Sequence, residues 1–298
     1  MKQLLYLLIY NKYLNYFIRN TIKPFEKLVP ESLKIPPSGT IRLRPEKIKI
    51  KLATNQTNYI TKLIFWEGYE RFEYTTIFCD LIKNISVFYD IGSNIGYYSA
   101  IAASLNPGLK VTSFEAAEGP LFYLRKNIEI NKLSNITLVP LAVSDTIGEV
   151  EFVQYINPKY PRLKYNLGGK GHIGTEESHL NTVRNKVKTI TLDDYVKTSG
   201  DREIDLIKID TEGNEDLILS KSKNIMRSMK PIIICETLYN KIESRIEEIA
   251  LSHEYLFYNH YPDGLKKVET LKRTFDNGVR NCFLVHPSKV GLIEKYIF

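Results

Sequence analysis

Short apolar runs alternate along this chain with amphipathic stretches of helical length. The runs predict strands at 85–90, 110–115, 136–143, 204–210, 231–236, 255–259 and 281–286. The stretches between them predict one helix that begins near Ile95 and three more over about 119–131, 214–229 and 240–253. Pro140 indicates that the third strand is an edge strand or carries a bulge. The pattern predicts an α/β fold: a seven-stranded, mostly parallel sheet, its last strand antiparallel, with helices on both faces.

Two segments depart from this rhythm and divide the chain. Residues 1–64 combine an amphipathic helix, a proline-broken connector at 24–40 and an alternating stretch at 41–67 that predicts a short strand or hairpin. Residues 65–298 form the main domain, and Gly68-Tyr69-Glu70 is expected to begin the helix that leads into the first core strand. An insertion at about 146–195 predicts an antiparallel pair, Glu149–Tyr155 with Val187–Leu192, around a glycine-containing loop.

The first 22 residues mimic the start of a signal peptide but carry polar interruptions and no small-residue cleavage site. Their apolar residues recur at roughly helical spacing: Leu4, Leu7, Leu8, Leu14, Phe17 and Ile18. We therefore expect an amphipathic helix that either docks on the core or rests on a membrane surface.

The turn after the first core strand holds the clearest candidate chemistry. It runs from Asp90 to Gly96 with the pattern D-x-G-x-N-x-G, and its glycines leave the backbone open to a ligand. A dinucleotide fingerprint reads G-x-G-x-x-G, because a pyrophosphate lies against that turn. A carboxylate at Asp90 repels pyrophosphate but suits an ammonium group, which favours S-adenosylmethionine over NAD.

Four core strands end in a carboxylate: Asp90, Glu115, Asp210 and Glu236. Glu115 follows Gly96 at about the spacing at which an acid reaches ribose hydroxyls in such folds. Carboxylates gathered at one sheet edge repel one another, and a cationic ligand or a metal relieves that repulsion. S-adenosylmethionine carries an ammonium and a sulfonium; a divalent cation is the less favoured option.

Composition and charge narrow the possible partners and the cellular location only slightly. The chain has 298 residues, 43% of them hydrophobic, and a net charge of +7. That charge suits phosphates, anionic lipid or nucleic acid, or simply a solvated lysine-rich surface. Three scattered cysteines, Cys79, Cys235 and Cys282, lack zinc-ligand spacing and argue against a disulfide framework. A reducing compartment, and hence a cytoplasmic location, is expected.

In combination, these motifs resemble the FkbM-type, class I S-adenosylmethionine-dependent methyltransferases, which have a Rossmann-like fold. The matching pieces are Gly68–Glu70, Asp90–Gly96, Phe114-Glu115, Asn127–Asn131, Ala142–Asp145, Thr191–Tyr195, Ile204–Glu215 and Pro231–Glu236. Ser93 stands where the family usually has alanine, and Ala116 where proline usually follows the ribose acid. Neither change removes a ligand-facing carboxylate.

The resemblance implies roles for individual residues. The turn from Asp90 to Gly96 would hold the methionine part of the cofactor, Glu70 its ammonium group, and Glu115 the ribose. Ser144 or Asp145 would lie near adenine, and Asp210 would face the methyl group. The implied cofactor-binding set is Glu70, Asp90, Gly92, Ser93, Asn94, Gly96, Glu115, Ala116, Ser144, Asp145 and Asp210.

A hydroxyl acceptor must lose its proton, which a carboxylate or imidazole assists. The candidate catalytic residues are Asp210, Glu212 and Glu236, with His172 or His179 approaching from the insertion. Asp210 and Glu236 would equally serve as cofactor ligands or caps, Glu212 as a helix-N-terminal acid, and either histidine as an exposed loop residue.

The sequence thus predicts an O-methyltransferase acting on a hydroxyl of a small molecule or glycan. A nucleic-acid methyltransferase and a non-catalytic binding module are the alternatives; nucleic acid is the less favoured partner because Asp210-Thr-Glu-Gly213 lacks the Asn/Asp-Pro-Pro-aromatic motif of nucleobase-amine enzymes. The acceptor pocket would be built from the N-terminal segment and residues 155–186. The sequence leaves the acceptor and the oligomeric state open.

Overall fold

A computed structural model describes residues 2–168, 172–173 and 181–298. Its N-terminal segment contains two helices, α1 (Lys2–Ile9) and α2 (Lys12–Ile22), where the sequence predicted one. The helix breaks at Asn11, whose side chain accepts hydrogen bonds from the backbone amides of Tyr13 and Leu14 and so caps α2. Short 3-10 turns follow at Lys23–Phe25 and Glu31–Leu33.

The predicted N-terminal hairpin is present as β1 (Gly39–Leu43) and β2 (Ile50–Thr54), paired antiparallel. The end of the alternating stretch is instead a helix, α3 (Tyr59–Glu67). Asn58 caps its first turn, and Gly68, with φ +92°, ends it. The expectation that a helix begins at Gly68 is therefore wrong: a 3-10 turn covers Tyr69–Arg71, and α4 (Thr75–Leu81) leads into the sheet.

The first half of the main domain follows the predicted order closely. Its elements are β3 (Val87–Ile91), α5 (Tyr97–Leu105), β4 (Lys110–Phe114), α6 (Glu118–Asn131) and β5 (Ile136–Val139). β5 stops before Pro140 and lies at the edge of the sheet, as the proline predicted.

The insertion and residues 142–143 just before it form a second sheet of four strands, in the order β6-β9-β7-β8. The strands are β6 (Ala142–Val143), β7 (Gly148–Tyr155), β8 (His172–Ile173) and β9 (Thr182–Ile190). β7 and β9 pair antiparallel from Gly148↔Thr189 to Tyr155↔Thr182, so the predicted pair is confirmed. The second strand ends before Thr191, because that side chain caps α7 (Leu192–Ser199).

The second half completes the domain. It contains β10 (Leu206–Ile209), α8 (Glu215–Ser220), α9 (Lys223–Ser228), β11 (Ile232–Glu236), α10 (Glu243–Leu251), β12 (Leu256–Tyr261), β13 (Gly264–Val268) and β14 (Asn281–Val285). The helix predicted over 214–229 is split into α8 and α9. The buried Ser222 side chain donates to the carbonyl oxygen of Ile218 at the break.

The main sheet has the order β13-β12-β14-β11-β10-β3-β4-β5. Strands from β11 to β5 are parallel, and β14 lies antiparallel between β11 and β12, as predicted for the last strand. All seven predicted strands are present, and β13 adds an eighth through a hairpin with β12. The third strand, predicted over 136–143, ends at Val139, and residues 142–143 belong to the second sheet instead.

Alternate residues of the central strands are buried on opposite faces of the sheet. Phe88 packs into one core with α4 and α5, and Tyr89 into another with α8 and α10. This two-sided burial confirms the α/β fold with helices on both faces. Among the helices of the described residues, none has the length and apolar content needed to cross a bilayer.

Candidate functional site

The turn between β3 and α5 is tied to the end of β4. Ser93 Oγ donates hydrogen bonds to the carbonyl oxygens of Asp90 (2.7 Å) and Phe114 (3.1 Å). The amide of Asn94, a residue with φ +52°, donates to Glu115 Oε2 at 2.8 Å. The predicted turn and the predicted ribose acid are thus held together as one unit.

The glycines of this turn make room for the protein itself. A Cβ on Gly92 would lie 1.9 Å from the carbonyl oxygen of Asp210, and one on Gly96 would lie 2.3 Å from Leu124 Cδ1. Gly92 therefore lets the turn approach the end of β10 directly.

A cavity of about 520 Å³ opens at the carboxyl ends of the parallel strands. Eight of the predicted site residues line it: Gly92, Ser93, Asn94, Glu115, Ala116, Asp210, Glu212 and Glu236. Three of the four strand-end acids therefore share one cleft. Such a position, beyond the strand ends at the reversal of strand order, is where α/β sheets bind ligands.

Other predicted site residues do not line this cavity. Glu70 is exposed outside it, with a side-chain oxygen directed back toward Gly68. Gly96 is the N-cap residue of α5 and lies close to Leu124. Ser144 and Asp145 follow the residues Leu141–Val143 that do form the wall.

Of the two histidines predicted for the site, the structure describes only the backbone of His172. The backbone of His172 pairs with Val153, but its side chain lies outside the described structure, as does His179.

Asp90 is buried beneath the cavity floor and faces Lys208 of β10. Lys208 Nζ lies 3.6 Å from Asp90 Oδ1 and 3.3 Å from Asp210 Oδ2. Burial by itself lowers the pKa of Lys208, but the carboxylates of Asp210 and Asp90 outweigh it and raise that pKa. Burial also raises the pKa of Asp90, against the opposing effect of Lys208. The ammonium group of Lys208 is thus shared by two of the strand-end acids.

Glu236 lacks such a partner. Its Oε2 is buried and finds no hydrogen-bond partner among the described residues. Burial, together with repulsion from Asp210, Glu212 and Glu215, raises the pKa of Glu236 to about 9. Its surroundings therefore favour the protonated, neutral form of the side chain.

Glu115 is also protected from water. Burial raises its pKa to about 7, although the backbone amides of Ala117 and Asn94 each donate to it at 2.8 Å and oppose that rise. Each carboxylate oxygen has a second lone pair that a ligand hydroxyl can use.

Four further charged residues at the cavity were not predicted: Glu67, Arg71, Glu73 and Lys208. Lys208 occupies an Ile-Lys-Ile strand, where a buried cation is itself an informative signal. Glu73, in a left-handed turn at φ +45°, lines the cavity and accepts from Tyr98 OH at 2.9 Å. Burial of its carboxyl group, and then Asp210, raise the pKa of Glu73 to about 7.

The loop after Asp210 is shaped by Glu215. Its Oε1 accepts from the backbone amide of Thr211 at 2.7 Å, and its Oε2 from the amide of Gly213 at 3.1 Å. This completely buried side chain thus fixes the turn that carries Glu212.

The rest of the cavity wall comes from the two segments outside the core. The N-terminal part contributes Asn58–Ile60 and Leu63, and the insertion contributes Phe152, Tyr155, Asn166–Gly168 and Ile173. Within residues 2–168, 172–173 and 181–298, no group of three or more histidine, cysteine or acidic side chains has an arrangement that could hold a metal ion.

The family model described as the methyltransferase FkbM domain matches residues 90–258, more than half of the chain. No curated protein matches the chain.

Solved structures match the chain at low identity. Methyltransferase FkbM from Methylobacillus flagellatus KT is 17% identical with a TM-score of 0.43; the match covers 67% of this chain and 43% of that one. The METTL16 methyltransferase domain is 14% identical with a TM-score of 0.42, covering 71% of this chain and 66% of that one. TYW2 from M. jannaschii, solved in complex with AdoMet, is 12% identical with a TM-score of 0.36, covering 83% and 85%. The chain thus spans less than half of the Methylobacillus protein.

Proposed function

This chain belongs to the FkbM methyltransferase family, and we propose that it is an S-adenosylmethionine-dependent O-methyltransferase acting on a hydroxyl group of a small molecule or glycan. The observation that carries the proposal is the clustering of Glu115, Asp210 and Glu236 in one cavity, with a buried oxygen of Glu236 left without a partner in the described structure.

The acids of the cavity suit the charge of this cofactor. S-adenosylmethionine is cationic at its ammonium and sulfonium groups, which the Asp210 carboxylate attracts, whereas that carboxylate would repel a pyrophosphate-bearing cofactor. The turn Gly92–Asn94 would hold the methionine part, Glu115 the ribose hydroxyls, and the apolar wall Leu141–Val143 the adenine ring. When bound, the cofactor supplies an electrophilic methyl group.

Residues of the cavity then remove the proton of the acceptor hydroxyl and orient its oxygen. Asp210 is half-buried at the cavity and is paired with Lys208 at 3.3 Å, so it can serve as the carboxylate that receives the hydroxyl proton. Glu236, with its pKa raised to about 9 by burial and by Asp210, starts as a neutral acid. It is suited to donate a hydrogen bond that orients the acceptor oxygen rather than to remove its proton.

A hydroxyl acceptor fits this arrangement better than a nucleobase amine. The sequence after β10 is Asp210-Thr-Glu-Gly213, which supplies carboxylates rather than the aromatic and amide groups that hold a flipped base. Alignment of the two reactants in the cavity provides the remaining rate enhancement.

The test combines binding and turnover. Calorimetry should detect S-adenosylmethionine binding by the wild type, and mass spectrometry of hydroxyl-bearing acceptors should detect the gain of one CH₂ unit. Asp210→Asn should bind the cofactor within a few-fold of wild type but methylate about 10²–10⁴ times more slowly. Asp263→Asn, in the exposed turn between β12 and β13, is the matched control and should behave as wild type.

Three results would overturn the proposal. Absence of cofactor binding by the folded wild type removes its premise. An unchanged rate in Asp210→Asn removes the proposed base. Methylation of RNA or DNA instead of hydroxyl-bearing small molecules replaces the acceptor class.

A further inference from the structure

Helix α2 docks on the protein through polar side chains. Asn15 and Arg19 are buried, and Arg19 Nη1 donates to the carbonyl oxygen of Ser38 at 2.9 Å and to Asn15 Oδ1 at 2.7 Å. The amide of Ser38 donates to Asn15 Oδ1 at 2.7 Å. A surface helix normally turns its apolar stripe toward the core. This helix instead buries two polar side chains at its contact with the protein.

The aromatic residues of α2 face away from the protein, while Ile18 and Ile22 are partly buried. With 3.6 residues per turn, Tyr13 and Phe17 lie opposite Asn15 and Arg19. Tyr13 is 73% exposed and Phe17 68% exposed. These are large side chains to leave in water.

Helix α1, which directly precedes α2, also leaves apolar side chains exposed. Leu4, Leu5, Leu7 and Leu8 are all exposed. Together with Tyr13, Leu14, Tyr16 and Phe17 they form what we term the N-terminal apolar face. Exposed patches of this kind mark protein or membrane contacts rather than ordinary surface.

Cations lie beside this face. Lys12 is exposed in the first turn of α2, whereas Arg19 is buried in the docking contact and Lys23 pairs with Glu26. A second cavity of about 420 Å³ has α1 as one wall, and its described lining includes four cations and no acidic residue. The cations are Lys12, Lys126, Lys159 and Arg162.

We propose that the N-terminal apolar face rests on an anionic membrane surface, with a lipid phosphate group received by this basic cavity. The apolar side chains enter the boundary between headgroups and acyl chains, while the cations attract the anionic lipid. A second copy of the chain is a poorer occupant, because pairing this face with itself would bring two basic cavities together. The proposal concerns location and does not depend on the proposed reaction.

Sedimentation with vesicles tests both parts of the surface. The wild type should sediment with vesicles of phosphatidylcholine mixed with phosphatidylserine, and much less with phosphatidylcholine alone. Tyr13→Ser/Phe17→Ser should weaken binding by about ten-fold or more. Phe275→Ser is the matched control, since Phe275 is 67% exposed elsewhere on the surface, and it should bind as wild type.

The basic cavity is tested separately. Lys126→Glu/Arg162→Glu should weaken binding by at least about five-fold per altered residue at low salt. Lys221→Glu/Lys223→Glu, at exposed positions around the break between α8 and α9, makes the same charge change away from the proposed surface and should have a much smaller effect.

Three outcomes would overturn the proposal. The first is absence of the wild type from the pellet of anionic vesicles. The second is wild-type sedimentation by Tyr13→Ser/Phe17→Ser that is still folded by circular dichroism. The third is a lipid-free dimer that Tyr13→Ser/Phe17→Ser abolishes in analytical ultracentrifugation, which would identify a second copy as the occupant instead.

Discussion

Lys208 Nζ lies 3.6 Å from Asp90 Oδ1, and both side chains are almost completely buried. The pair joins neighbouring strands directly beneath the cavity, since Lys208 is in register with Asp90. The sequence predicted Asp90 as a cofactor ligand. In the structure its carboxylate instead pairs with the buried ammonium group of Lys208.

Replacing Lys208 by methionine should strongly destabilise the protein. The change leaves the Asp90 carboxylate buried without its counter-ion, which typically costs about 3–5 kcal/mol of unfolding free energy. Urea denaturation would measure it. The double variant Asp90→Asn/Lys208→Met should lose less than Lys208→Met alone; equal losses would show that the two charges do not depend on each other.

Gly92→Ala should disrupt the turn more than an equivalent change elsewhere. Its φ is +73°, and the added Cβ would meet the Asp210 carbonyl oxygen at 1.9 Å. Gly200 has the same φ of +73°, and nothing lies within 4 Å of the position that an added methyl group would occupy, so Gly200→Ala isolates the backbone strain. We expect about 1–2 kcal/mol for Gly200→Ala and about 1–3 kcal/mol more for Gly92→Ala by denaturation. Similar losses for both would contradict the proposed close approach.

The neutral carboxyl of Glu236 should make stability depend on pH. Its pKa is raised from 4.5 to about 9, so between these values the folded state holds a proton that the unfolded state releases. The stabilising contribution is complete below about pH 4.5 and is lost as the pH rises toward 9.

Comparison with Glu236→Gln isolates this contribution. Across that pH range the wild type should lose more than about 1.4 kcal/mol relative to the variant, the equivalent of one pKa unit. Glu149→Gln, at an exposed strand position, should show no such divergence. Parallel stability curves for wild type and Glu236→Gln would refute the assignment.

Arg19→Met should loosen the N-terminal helices without unfolding the main domain. The substitution leaves the carbonyl oxygens of Ser38 and Thr40 without their guanidinium donor, a loss of about 1–3 kcal/mol. Hydrogen exchange should then become faster in residues 2–22 and stay unchanged in β3 and β10. Phe17→Ser, on the opposite side of α2, is the control and should keep wild-type protection.

The sequence predicted the parts of the fold that depend on local pattern. The seven strands, the turn at Asp90–Gly96 and the antiparallel pair of the insertion all follow from apolar periodicity and glycine position. The close grouping of Glu115, Asp210 and Glu236 follows because parallel strands end at the same edge.

What the sequence did not predict depends on contacts between distant residues. Lys208 looks like an ordinary polar position until β3 brings Asp90 beside it. Glu73, rather than Glu70, reaches the cavity because α3 ends at Gly68 and a 3-10 turn follows. The N-terminal helix was expected either to dock on the core or to rest on a membrane surface, and the two polar side chains through which it docks become apparent only when Ser38 lies against them.

Hydrogen bonds join the N-terminal segment to the insertion. Asn55 Nδ2 donates to the carbonyl oxygen of Tyr165 at 2.9 Å, and the amide of Leu167 donates to Thr57 Oγ1 at 2.8 Å. Since both segments also form the cavity wall, an attempt to graft acceptor preference between relatives should exchange the two together. In a chimera that carries only one of them, the two parts of the cavity wall would come from different proteins and would not fit each other.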